Sequence, residues 1–234
     1  MAAHKRVAVR RRKQDQRPLR ALKARARRIL GALVKAHPDA RIYLDFQTPL
    51  QLLVATILAA QCTDEKVNQI TPVLFERYPS AEALARADQS QLEQIVRPTG
   101  FFRQKARSVC ECCRAIVEEH GGKVPADLDA LTRVRGVGRK TANVVLANAF
   151  GIPALPVDTH VLRVGTRLGL AEGTDADKVE QQLCEVIPEE RWIRAGHLLG
   201  THGRRICTAK KPDHENCPVK GLCDFCRALE AATG

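Results

Sequence analysis

A lysine stands two places after the second glycine of Gly136-Val137-Gly138, in the run LTRVRGVGRKTANVV (Leu131–Val145). The small residues let the backbone turn sharply and come close to a ligand. The run that follows favours a helix, whose first amides point outward and, with the helix dipole, favour an anion such as a phosphate. Arg139 and Lys140 fall in the first turn of that helix, beside the phosphate seat. An amine held there is a nucleophile when it is partly neutral. Taken alone, Lys140 reads as a solvated lysine near a phosphate. The hairpin before it, and the carboxylate of Asp158 in PVDTH after it, turn the reading to chemistry.

The nine cysteines supply a second kind of chemistry and fall into three groups. Cys110 and Cys113 lie on an apolar helical stripe with Cys112 just off it, so packing is favoured over metal binding there. Cys62 and Cys184 are isolated and read as core residues. Cys207, Cys217, Cys223 and Cys226 crowd a short, polar tail containing Pro and Gly. Little apolar material is available to order such a loop, and a metal centre would do so. Thiolates at irregular loop spacing suit an iron–sulfur cluster or zinc better than a disulfide pair.

The elements that must position these groups read as helices. Gln51–Ala60 (QLLVATILAA) is apolar on all sides and suits a central buried helix. Ala106, Val109, Cys110, Cys113, Ile116 and Val117 share one helical stripe, and Val179, Leu183, Val186 and Ile187 another. Pro125, Pro153 and the Gly121-Gly122 pair punctuate, and convincing period-two strands are hard to find. The class is all-α. No internal repeat stands out.

The partner is read from charge. With 234 residues and a formal net charge of +12, the chain attracts polyanions and binds them in a salt-sensitive way. Aromatics make up 4%, too few for a base-stacking platform of the single-strand-binding type. From Lys5 to Arg28 the only acid is Asp15, and residues 1–20 read as a disordered basic arm adding non-specific DNA affinity. No apolar run follows those charges, so the arm is not a secretion signal. An organelle transit peptide is the lesser reading, because hydroxyl residues are missing. A cytoplasmic, nucleoid-associated protein is expected. No segment is long and apolar enough to span a membrane.

LTRVRGVGRKTANVVLANAF, PVDTHVLRVGTRLGL and the cysteine tail together resemble the endonuclease III family, DNA glycosylases with AP-lyase activity in the helix-hairpin-helix superfamily. LVATILAAQCTDEKVN and the GFFRQKA segment extend the resemblance from about Arg25 to the C-terminus. It implies two helical domains flanking a DNA-binding cleft. One is a barrel over residues 42–152 that carries the hairpin; the other joins residues 21–41 to 153–234 and holds a [4Fe–4S] cluster. It also implies a monomer acting on damaged double-stranded DNA. An oxidised pyrimidine is flipped out of the stack, Lys140 attacks C1′ and forms a Schiff base, and β-elimination cuts the strand. Asp158 then stabilises positive charge on the sugar.

By the same resemblance Gln61 fills the gap left by the flipped nucleotide, with a helix cap as its other reading. Phe101 is a wedge opposite the lesion or a core residue. His160 shapes the pocket or makes a structural hydrogen bond. Gly136, Val137, Gly138 and Arg139 meet the DNA backbone, while Asp64 caps the next helix.

Two departures stand out. Arg135 occupies the place of a proline before the hairpin glycines, exchanging a fixed φ for a charge. The family's Cys-x6-Cys-x2-Cys-x5-Cys finds Cys207, Cys217 and Cys223 in its first, third and fourth places but His214 in its second. Either His214 is a ligand or Cys226 completes the set; thiolate is the usual ligand for this cluster type. Two other readings remain. A monofunctional mismatch adenine glycosylase has no lysine at the place of Lys140 and carries a further C-terminal domain, whereas this chain stops at Gly234. A non-catalytic helix-hairpin-helix protein would use only the fold and the arm.

Overall fold

The structure is a computed structural model that describes residues 19–233. The expected basic arm lies outside the described residues, except that Leu19 and Arg20 already belong to a helix. Every regular element among the described residues is helical, as the sequence predicts. In chain order these are α1 (Leu19–Ala36), α2 (Pro49–Leu58), α3 (Asp64–Arg77), α4 (Ala81–Ala85), α5 (Gln89–Val96) and α6 (Phe102–His120). They continue as α7 (Leu128–Arg133), α8 (Arg139–Val145), α9 (Thr159–Arg167), α10 (Ala176–Val186), α11 (Trp192–Arg205) and α12 (Asp224–Thr233). Described residues up to Ala40 join those from Val157 onward in one compact unit, and Arg41–Pro156 form the other. The breaks expected after residues 41 and 152 thus fall after Ala40 and Pro156. Ile152 stays with the continuous unit because its amide bonds to the Leu146 carbonyl at 3.0 Å.

In the continuous unit α2 is the central helix. Thr48 Oγ1 accepts from the Gln51 amide at 3.2 Å, and Pro49 opens the first turn, where its missing amide costs nothing. Leu52, Leu53, Val54, Ala55 and Leu58 are all buried, against α3, α6 and α8. Each such leucine contributes about 1.5–3 kcal/mol by leaving water. The helix ends at Leu58, short of the expected Ala60. Helix α6 buries the predicted stripe, but Val117 is only half-buried, and Cys112, placed off the stripe, is 0% exposed. The reason is that α2, α4 and α5 all pack on α6 and cover its flanks. Burial pushes the Cys112 thiol up to about 12 and raises those of Cys110 and Cys113. These are inert packing thiols.

In the discontinuous unit α9 packs on α10 and α11, and α1 on α10 and α11. The stripe Val179, Leu183, Val186 and Ile187 is buried as predicted. The α9–α11 crossing is close: a Cβ on Gly203 would come within 2.9 Å of the His160 Cβ. Cys62 and Cys184, one in each unit, are half-buried rather than core.

Candidate active site and cluster site

The hairpin is built from short-range bonds. Asp127 Oδ1 accepts from the Ala130 amide at 2.8 Å and starts α7. The Val137 amide donates to the Val134 carbonyl at 3.0 Å and closes the turn, with Gly136 at φ +83, where a side chain is strained. Val134 and Val137 are buried, so Val137 serves the turn as its anchor. Gly136, Gly138 and Lys140 are exposed and Arg139 is half-buried. Arg135 Nε lies 3.2 Å from Glu111 Oε2 on α6. This ion pair tethers the turn where the family has a rigid proline, although its exposure makes it weak.

The hairpin helix differs from most of its neighbours in how it begins. Helices α2, α3, α4, α5 and α7 are each capped by the side chain of the preceding residue. Helix α8 opens on Gly138 with no side-chain cap, and α6 opens uncapped on Phe101. An uncapped N-terminus keeps its dipole available to an anion.

Two non-glycine residues among the described ones have positive φ, and the resemblance singled out both: Gln61 at +52 and Phe101 at +46. Such conformations cost about 1–3 kcal/mol each and cluster at functional sites. Gln61 is exposed in the turn after α2 and caps neither neighbouring helix. Ala59 ends α2, and Thr63 Oγ1 caps α3 by accepting from the Lys66 amide at 3.3 Å. Thr63 therefore takes the role expected of Asp64, which is the first residue of α3 and supports the helix dipole instead. Phe101 is 67% exposed, so the core reading falls.

A residue that the sequence hid supports the second turn. Lys105 is 4% exposed and donates from Nζ to the Thr99 carbonyl at 2.7 Å, while its amide bonds to the Phe101 carbonyl. Burial lowers its pKa, and the thiol of Cys62, next to Gln61, pulls the other way. The only signal was a lysine immediately before the apolar stripe that begins at Ala106.

Asp158 opens α9 in the other unit. Its Oδ1 accepts from the amides of His160 and Val161 at 2.9 and 2.8 Å. His160 has Nδ1 3.1 Å from Arg163 Nη2. Arginine only donates, so that nitrogen is bare and the ring is neutral; burial lowers its pKa accordingly. His160 makes the structural hydrogen bond and packs on Gly203. Arg163 Nε reaches the Cys207 carbonyl at 3.0 Å, and Arg167 reaches the Thr208 and Ala209 carbonyls at 2.7 and 3.0 Å. The helix that presents Asp158 therefore grips the chain around Cys207.

Cys207, Cys217, Cys223, Cys226 and His214 line one small cavity with apolar walls. Burial first, and then Cys223, Cys217 and Cys207, push the Cys226 thiol up to about 12. Four cysteines crowded around one cavity suit a site completed by a cationic iron–sulfur core. His214 Nδ1 lies 3.2 Å from Cys226 Sγ, and its ring stacks on Phe225 at 5.7 Å. Both candidates for the fourth place thus share the cavity.

Residues 54–189 match the HhH-GPD superfamily of base excision DNA repair proteins, and residues 207–223 match the iron–sulfur binding domain of endonuclease III. Endonuclease III of Synechocystis sp. is 49% identical over 213 residues, covering 91% of this chain and 97% of its own. The chain belongs to the endonuclease III family. The Escherichia coli member is 38% identical over 87% of this chain and 96% of its own. A structure described as a trapped endonuclease III–DNA covalent intermediate superimposes with a TM-score of 0.84, at 40% identity over 89% of this chain and 98% of that one. A thermostable thymine-DNA glycosylase, at 24% identity and a TM-score of 0.77, shares the fold. The protein is a DNA-binding, base-excision-repair glycosylase of helix-hairpin-helix fold with a [4Fe–4S] cofactor. The iron–sulfur match stops at Cys223 and leaves Cys226 outside it.

Proposed function

We propose that the protein removes oxidised pyrimidines from damaged duplex DNA and then cuts the strand through Lys140. The observation that carries this is the exposed amine of Lys140 in the first turn of the uncapped α8. The covalent complex described for a 40% identical relative supports it. The Lys140 lone pair attacks C1′, the glycosidic bond breaks, and its electron pair leaves with the base, which takes a proton. Loss of the amine proton and opening of the sugar give an iminium. This acidifies the C2′ proton; its removal expels the 3′ phosphate and leaves a C2′–C3′ double bond. Water then hydrolyses the iminium and frees Lys140. Asp158 offers Oδ2 to the cationic sugar while Oδ1 stays on the helix amides. The protein works as a monomer on nucleoid DNA in the cytoplasm, a reading that rests on the sequence resemblance and the net charge of +12.

The lesion class is tested with duplexes carrying thymine glycol, or adenine opposite an oxidised guanine. Release of the pyrimidine alone is the expected result; release of adenine alone would replace this reading by the mismatch glycosylase.

Gln61 and Phe101 enter the duplex at the flipped nucleotide. Phe101→Ala is expected to leave the folded state within about 0.5 kcal/mol of the parent, since the ring is exposed. It should weaken binding to a thymine-glycol duplex by about tenfold, the scale of one lost stacking contact. Thermal unfolding and a binding titration read the two effects separately.

Cys207, Cys217, Cys223 and Cys226 hold the cluster, with His214 donating a hydrogen bond to the Cys226 thiolate. No step above needs an electron, so the cluster serves structure and electrostatics. Cys226→Ser should bleach the visible absorption more than His214→Ala; the reverse order would make His214 the fourth ligand.

A further inference from the structure

Two histidines, His202 in the cavity wall and His37 behind it, form a line that ends on a cysteine of the cluster site. His37 Nε2 lies 3.1 Å from His202 Nδ1, and His202 Nε2 lies 3.7 Å from Cys217 Sγ. The histidines are 4% and 1% exposed and all three residues belong to one unit. Cys217 is a ligand whichever residue takes the fourth place. A cluster-bound thiolate has no proton and can only accept, so His202 Nε2 must carry the hydrogen. Its Nδ1 is then bare and must accept from His37 Nε2–H, which fixes both tautomers. On the far side, the Asp39–Arg205 pair, at 2.7 Å, and Arg194, which donates to the His37 carbonyl, hold the end of α1 in place.

We infer that His37 and His202 form a hydrogen-bond relay to Cys217 that sets the reduction potential and the retention of the cluster, with His37 acting as a positioning residue through His202. This rests on the cluster-site reading above. A hydrogen bond to a ligand sulfur draws electron density from the iron and favours the more reduced state. Outer partners of this kind commonly change metal retention by about ten- to a hundredfold.

The test uses the full chain with its cluster and compares His37→Leu, His37→Gln and His202→Phe. Glutamine keeps an N–H near the position of Nε2; leucine does not. The potential is read by voltammetry, and retention by loss of visible absorption in the presence of an iron chelator. His37→Leu and His202→Phe should shift the potential to more negative values and speed bleaching about tenfold, and His37→Gln should restore both. Unchanged values in His37→Leu and His202→Phe would overturn the relay. Equal shifts in all three variants would also overturn it, leaving only packing. A wild-type protein without cluster absorption would instead remove the cluster reading, and the relay with it.

Discussion

Lys140→Gln should bind a thymine-glycol duplex as the wild type does, yet lose strand cleavage by about a thousandfold or more and give no covalent band on borohydride reduction. The side chain is exposed and sits in the first turn of α8, so folding does not depend on it. Glutamine retains length and polarity but has no basic lone pair, so neither the attack on C1′ nor the iminium can form. The turn that seats the phosphate is untouched, because it is made by Gly136, Val137 and their backbone bonds. Trapping wild type and variant side by side reads the nucleophile directly, since only reduction of an iminium leaves a stable bond between protein and DNA. A trapped band with the variant would move the nucleophile elsewhere. No band with either protein, on DNA that both still bind, would leave a pure binder or a monofunctional glycosylase.

Asp158 allows a second separation, because it does two things at once. Its Oδ1 caps α9 through the His160 and Val161 amides, and its charge faces the developing cation in the proposed reaction. Asparagine caps as well as aspartate does but brings no charge. Asp158→Asn should therefore change the unfolding free energy by less than about 0.5 kcal/mol while slowing base release by about a hundredfold or more. Asp158→Ala loses both roles and should add about 1 kcal/mol of destabilisation. Unfolding measurements beside single-turnover base release decide the matter. If asparagine released the base at the parent rate, Asp158 would be a cap and nothing more.

What the sequence revealed followed the range of the forces involved. The α10 stripe, the all-round apolar α2 and the glycine turn before Lys140 are local patterns with local causes, and each could be read from its neighbours. The strain at Gln61 and Phe101 could not, because left-handed backbone at a non-glycine is imposed by surroundings that lie elsewhere in the chain. The same holds for Lys105, whose burial depends on the Thr99 carbonyl and on Cys62. Cys112 falls just off the apolar stripe of its own helix and is covered because several helices pack on α6. Thr63 and Asp64 are both good caps, and one residue of register decided between them. Arg135 finds Glu111 across the fold, a pairing no spacing rule predicts. The fourth cluster ligand stayed open between His214 and Cys226 because tertiary folding brings both to one cavity.

The division of the chain carries a consequence for its birth on the ribosome. Residues 41–156 are continuous and can condense as soon as they emerge, whereas the other unit needs both ends of the chain. Arg25 shows the delay: its partners are the Leu222 carbonyl and the Asp224 carboxylate, 197 and 199 residues later. Until α10, α11 and Cys226 have been made, α1 must wait with its apolar face uncovered, and the cysteines needed for iron delivery are incomplete. Maturation of the cofactor is thereby placed after synthesis of Cys226, and a nascent chain stalled between Pro156 and Cys207 would hold a folded hairpin domain with no cluster.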